Sequence, residues 1–280
     1  MKQKNPCVII KKGKIKKEGD FVATKYPIIL VHGIAAKQLR ILNAFGRIGF
    51  ELEDEGHRVY VADTDGFGSI ETNAAQLKSF ITRVIDETGC EKVNIIAHSK
   101  GGLDSKYMIQ NLGMDEKVAS LTTLCTPHRG SIIASKIWNL PSPIKKFYAF
   151  WIDTFYRIFC KDEHPDSMKA CDQLRAVDEA QDTISFCDSV YCQSYSTSIS
   201  KIKDCYIMAL PMKLQHRYDI QDNDGMVAEG SSRFGRYRGK CLEIPVSHVQ
   251  IIDLFSKRSQ RPEIYSFYKH LCSELEEMGY

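Results

Sequence analysis

No apolar run in this sequence approaches the ~18 residues that a membrane span requires, so no transmembrane segment is expected. The first twenty residues carry lysines but no apolar stretch of usable length, which argues against a secretory signal. As it stands the sequence reads as cytoplasmic, and as secreted only if a signal precedes it. Ten cysteines occur without one C-x-x-C pair, which argues against zinc ribbons and thioredoxin chemistry. They read as small buried hydrophobes of a reduced protein. Cys160, Cys171, Cys187 and Cys192 share one segment, where an oxidising compartment would allow bridging. The net charge of +3 is too small to point to nucleic acid. Its excess sits in Lys2, Lys4, Lys11, Lys12, Lys14, Lys16 and Lys17, the pattern of a solvated terminus. Internal repeats and low-complexity segments are absent as well.

What is present is the composition of an ordinary globular chain, 43% hydrophobic and 26% charged over 280 residues. That length suits one large domain, or a core with an inserted cap. Pro27 to Val31 reads as a buried strand, residues 38 to 55 as a helix capped by Gly56, and Val59 to Ala62 as a strand. An amphipathic helix is expected from Ala74 to Thr88, a strand from Val93, a helix from Leu103 to Leu112, and a strand from Val118 to Leu124. This alternation predicts an α/β fold with a mostly parallel sheet and helices on both faces. Sites in such sheets lie beyond the carboxyl ends of the strands.

Two of those strand ends carry chemistry. Val93-Asn94-Ile95-Ile96-Ala97-His98-Ser99-Lys100-Gly101-Gly102 reads as a strand, a strained turn with serine at its apex, and a helix. Strand and helix approach closely there, so the positions two before and two after the serine must be small; they are Ala97 and Gly101. The earlier strand ends in His32-Gly33-Ile34, where glycine lets the backbone turn the Ile34 amide toward a developing oxyanion.

The alternation stops at about residue 132. From there to 188 lies an insertion with seven aromatics among the thirteen residues Phe147 to Phe159. So apolar a helix is either a core helix or a lid over an apolar cleft. Its insertion at the active edge of the sheet favours the lid, with Lys145, Lys146 and Arg157 beside an anionic interface. Strand character returns at Val190 to Tyr195. The stretch from Lys203 to His216 is ambiguous between strand and helix. Cys241 to Val246 reads as a last strand running into Ser247-His248, and Pro262 to Met278 as a closing amphipathic helix.

A serine nucleophile needs an adjacent base, oriented by an acid. Of eight histidines only His248 directly follows a late predicted strand. Asp224 is preferred as the acid because Gly225 permits a tight turn, with Asp219, Asp222 and Asp253 as competitors.

Tyr26 to Ile34, the serine turn from Val93 to Gly102, Thr126-Pro127-His128-Arg129-Gly130-Ser131, and Asn223-Asp224-Gly225-Met226-Val227 together resemble the bacterial true lipases of the α/β-hydrolase superfamily. The resemblance implies an α/β-hydrolase fold with an inserted lid and Ser99, His248 and Asp224 as triad. It implies the amides of Ile34 and Lys100 as oxyanion hole, and a lipid or other ester as substrate, with transient contact to a lipid interface. Family members often hold calcium through an aspartate two residues past the histidine. Gln250 stands at that position, so no metal and no cofactor are expected. Phospholipase, thioesterase or acyltransferase chemistry on the same triad, or a non-catalytic lipid-binding module, are the alternatives.

Overall fold

A computed structural model describes residues 23–35, 44–176, 189–218 and 222–280. Its frame is a six-stranded sheet of order β2-β1-β3-β4-β5-β6, built of β1 (Ile28–Val31), β2 (Val59–Val61), β3 (Val93–His98), β4 (Val118–Leu124), β5 (Tyr191–Ser196) and β6 (Arg236–Lys240). Every adjacent pair is parallel. The central strands β1, β3 and β4 are buried along their whole length, as their unbroken apolar and β-branched runs require of a sheet covered on both faces.

Alternate residues of one strand feed two separate cores. Ile28 and Leu30 of β1 join Phe45, Ile48, Leu52, Tyr268 and Leu271 on the face covered by α1 (Ile48–Asp54) and the helix Arg261–Glu277. Ile29 and Val31 join Leu77, Phe80, Ile81, Val84 and Met108 on the face covered by α2 (Ile70–Thr88) and α3 (Lys100–Asn111). Burying each such side chain contributes roughly 1.5–3 kcal/mol, so the two faces together hold the strand ends fixed.

Several boundaries differ from the sequence-based expectations. Helix α2 starts at Ile70 rather than Ala74, because Ser69 caps it by accepting a hydrogen bond from the Thr72 amide. Of the helix expected over 38–55, the segment from Ile48 to Asp54 is helical, and residues 38–43 lie outside the described residues. Gly56 follows it with φ of +93°, the left-handed conformation expected of that glycine. The ambiguous stretch forms two short 3₁₀ turns followed by α7 (Ala209–Tyr218).

The strand expected at Cys241–Val246 is not one. The last strand is β6, whose alternating exposed and half-buried residues, Arg236-Tyr237-Arg238-Gly239-Lys240, suit a polar sheet edge. The apolar residues after it pack on the first core without ladder pairing, and Pro245 has no N–H to give one. His248 therefore stands on a long loop, anchored by the amides of Cys241 and Val246 donating to the carbonyls of Ser196 and Ser198.

Between β4 and β5 the chain forms α4 (Ile132–Trp138), α5 (Ser142–Phe155), a π-helical turn (Tyr156–Cys160) and α6 (Ser167–Gln173). Residues 177–188 of the expected insertion, including Cys187, lie outside the described residues. The core-helix alternative does not hold for α5, since Phe147, Phe150 and Trp151 are each more than half exposed. Lys145 turns back over the Trp138 ring, 4.2 Å from its centroid, and donates to the Trp138 carbonyl, so it does not extend toward an interface. Among the described residues no two cysteines are joined by a disulfide.

Candidate active site

The turn between β3 and α3 holds Ser99 at φ +54° and ψ −131°, a conformation that costs a non-glycine residue of order 1–3 kcal/mol. The surroundings impose it. The Ser99 amide donates to the Leu124 carbonyl, and its own carbonyl accepts from the Gly102 amide and the Thr126 hydroxyl. Small residues are obligatory around it. A Cβ on Gly101 would lie 2.4 Å from the His32 carbonyl oxygen, and one on Gly33 would lie 2.6 Å from the Ser99 Cβ. The smallness expected at position 101 thus has a specific cause, and Gly33 adds a contact that its place at a strand end did not reveal.

Three side chains form a line through this turn. The Ser99 hydroxyl donates to Nε2 of His248 over 2.8 Å, and Nδ1–H of His248 donates to Oδ2 of Asp224 over 2.7 Å. All three are buried. Asp224 sits in a tight turn where Gly225 has φ of +99°, and its Oδ1 accepts from the amides of Met226 and Val227, each at 2.8 Å. The backbone repeats the pairing, since the His248 amide donates to the Asp224 carbonyl. Of the competing acids, Asp222 pairs with Lys240 at the surface and Asp253 with Tyr265, Ser256 and the Arg47 amide; Asp219 lies outside the described residues.

Further groups escaped the sequence reading. His98, inside the serine turn, donates from Nε2 to the His248 carbonyl over 2.8 Å. Burial holds its pKa well below the usual histidine range, with the neighbouring His248 adding to the effect, so it serves as a neutral strut. Cys125 lies behind Asp224, its thiol pushed well up by burial and by the Asp224 carboxylate. Gln250 accepts from the Ser247 amide and donates to the Asp204 carbonyl, tying the His248 loop to the turn before α7.

The Lys100 side chain is also buried, its ammonium 2.7 Å from Oδ1 of Asp104. Burial raises the Asp104 carboxyl to about 6 against the opposing pull of Lys100. An opposite-charge i,i+4 pair was visible in the sequence, but nothing there said that it is buried. Lys100 opens α3, so its amide has no intrahelical acceptor.

Cys125, Asp224 and His248 also bring a sulfur, a carboxylate and an imidazole within 4.8 Å of one another. The carboxylate and imidazole are already joined by a hydrogen bond, and the thiol is held protonated. Metal ligation needs the thiolate and a free imidazole nitrogen, so this donor set does not fit an ion.

Above Ser99 and His248 lies a cavity of about 630 Å³, walled mainly by apolar side chains. Trp138, Tyr148 and Ile152 come from the inserted segment, Met208 and Leu254 from the opposite rim, and Ile34 from the loop after β1. Residues 26–167 match the profile of the alpha/beta hydrolase fold. The chain belongs to this family.

Individual proteins place the likeness more closely. A triacylglycerol lipase of Pseudarthrobacter phenanthrenivorans is 41% identical over 125 residues, covering 43% of this chain and 39% of its own length. Triacylglycerol lipase 2 of Saccharomyces cerevisiae is 26% identical over 259 residues, 82% of this chain and 72% of its own. A metagenomic carboxyl esterase of known structure superimposes with a TM-score of 0.70 at 16% identity, over 94% of this chain and 79% of its own. The resemblance to bacterial lipases read from the motifs accords with the first of these, although that match spans only about two-fifths of the relative.

Proposed function

We propose that this chain hydrolyses carboxylic esters with an apolar acyl group through an acyl-enzyme on Ser99. The observation that carries the reading is the hydrogen-bonded line from Ser99 through His248 to Asp224 at the floor of an apolar cavity. His248 takes the hydroxyl proton as Ser99 attacks the acyl carbon, and returns it to the departing alcohol. Asp224 fixes the imidazole tautomer and offsets the charge that forms on it. The oxyanion falls between the amides of Ile34 and Lys100, one beside Gly33 and the other at the start of α3. Water then releases the acid by the same steps in reverse.

The cavity favours a lipid-like acyl chain, and relatives named triacylglycerol lipase favour a lipid ester. Residues 132–188 act as the lid in this reading. Tyr148 and Ile152 face the cavity, while exposed Phe147, Phe150, Trp151 and Phe159, with Lys146 and Arg157 beside them, contact the lipid surface transiently.

The test is turnover of chromogenic esters from short soluble chains to emulsified long-chain substrates, together with labelling by an organophosphonate. Ser99→Ala should lose both, with kcat falling on the order of 10⁶-fold. Unchanged turnover in that variant would sink the assignment.

A further inference from the structure

Both oxyanion amides of the proposed reaction lie on backbone that is tied to the inserted segment. The first tie runs through the loop after β1. Gly33 is wedged against Ser99 on one side of Ile34. On the other side, Ala35 holds φ at +61°, a left-handed conformation unfavourable for a residue with a Cβ. Two hydrogen bonds keep it there: its amide donates to the Gly66 carbonyl over 2.9 Å, and its carbonyl accepts from the Tyr156 hydroxyl over 2.8 Å. Tyr156 opens the π-helical turn of the insertion, and such turns recur at functional sites. Its ring packs edge-on against Phe67 and covers Gly66, where a Cβ would lie 2.6 Å from it. Burial raises the phenol to about 12, so it stays a donor at working pH.

The second tie runs through α3. Lys100 is fixed at its side chain by Asp104. Oδ2 of Asp104 accepts from Nδ2 of Asn73 over 3.1 Å, and the same nitrogen donates to the Asp65 carbonyl over 2.9 Å. The Asp65 carboxylate in turn accepts from the amides of Glu163 and His164, at 2.9 and 2.7 Å, in the turn just behind the π-helix. Lys100, Asp104, Asn73 and Asp65 are all nearly inaccessible to water. Burying an ion pair so deeply is costly unless each charge is held in good geometry, and breaking one partner is strongly destabilising. The loop from Asp65 to Ser69 is therefore a hub, with one oxyanion arm on each side and the insertion clamped above.

We propose that Tyr156 and the Lys100–Asp104–Asn73 relay are positioning residues that hold the Ile34 and Lys100 amides in register, so that the oxyanion hole is formed only while the insertion is seated on the hub. None of these side chains needs to touch the substrate. The proposal rests on the ester-hydrolase reading, and its test separates the two.

The experiment compares Tyr156→Phe and Asp104→Asn with the unmodified full chain on a short soluble chromogenic ester. It also measures inhibition by a trifluoromethyl ketone, which forms a tetrahedral oxyanion adduct with an active serine. Because an oxyanion contact is realised only in the transition state, Tyr156→Phe should lower kcat about tenfold with KM unchanged. The ketone should bind weaker by a matching factor. Removing an oxyanion donor outright costs 10²- to 10³-fold, so loosening one arm belongs below that. Asp104→Asn should act in the same direction, and the double variant should show non-additive losses if both ties serve one seated state.

Wild-type kcat and ketone affinity in Tyr156→Phe, with only the melting temperature moved, overturn the proposal. Should Asp104→Asn fail to fold, Tyr156→Phe still decides, because it deletes one hydroxyl from a half-buried side chain. A Ser99→Ala variant that keeps turnover defeats the hydrolase reading itself. A dead Ser99→Ala beside a wild-type Tyr156→Phe defeats this proposal alone.

Discussion

The sheet and the segment inserted after β4 handle apolar side chains in opposite ways. In β1, β3 and β4 every residue is buried, and alternate side chains enter two cores. In α5 and the π-helical turn, Phe147, Phe150, Trp151, Ile158 and Phe159 stay more than half exposed, and only Ala149 and Cys160 are buried. The sheet spends its apolar surface on stability and thereby fixes Ser99 in a strained turn. The insertion leaves apolar surface uncovered and is hydrogen-bonded to the loop after β2 and the start of α2, at Asp65, Phe67 and Glu71. Buried and exposed apolar surface thus come from different parts of one chain.

The largest effect that tests this division is expected at Asp224. Asp224→Asn should lower kcat by about 10⁴-fold by stabilising the wrong imidazole tautomer, while circular dichroism and the melting temperature stay near those of the unmodified chain. A loss below tenfold would remove Asp224 from the proposed triad.

Next comes the packing of the turn. Gly101→Ala drives a Cβ to within 2.4 Å of the His32 carbonyl oxygen, a backbone atom that cannot step aside. It should cost about 2–3 kcal/mol in urea unfolding and most of the activity. A variant as stable as the parent would show that strand and helix do not need this close approach.

A smaller effect concerns pH. Burial lowers the pKa of His57, and holds those of His98 and His128 well below the usual histidine range. A histidine with a depressed folded pKa binds fewer protons folded than unfolded. The stability it contributes is therefore present in full above the unfolded pKa and lost as pH falls from there through the folded pKa. Asp104, raised to about 6, and Glu53, raised to about 7, both by burial, have the opposite sign over roughly pH 4 to 7, but they are two groups against three. Urea midpoints should fall between pH 7.5 and 6, and His57→Gln should flatten that slope. Midpoints that rise over the same interval contradict the expectation.

The smallest effect on stability is expected on the exposed face of α5. Phe150→Ser should change unfolding free energy by no more than about 0.5 kcal/mol and leave soluble-ester turnover unaltered, while turnover of an emulsion falls. Equal emulsion rates in both proteins would detach this face from the lipid surface.

Legibility followed the same division. The parallel strands, the serine turn and the helix behind it could be read because unbroken apolar runs and obligatory small residues are local signals. Cys241 to Val246 misled because its apolar spacing serves packing on the core after the chain has left the ladder, and the true edge strand, Arg236–Lys240, is polar. The helix α5 could be read as a helix, but its exposure could not, since periodicity does not say what lies opposite each face. His98 and the Lys100–Asp104 pair were present in the sequence as residue types without partners.

The sequence by itself determined the alternation of strands and helices from β1 through β4, the serine turn with small residues around it, and the candidates Ser99, Asp224 and His248. Each rests on steric or periodic constraints that act within a few residues. Only the tertiary structure decided that the three side chains form one hydrogen-bonded line, that a lysine is buried beside the serine, and that both proposed oxyanion arms are tied to the insertion. Those contacts join residues far apart in the chain, and their geometry exists only once the two cores have fixed the strand ends.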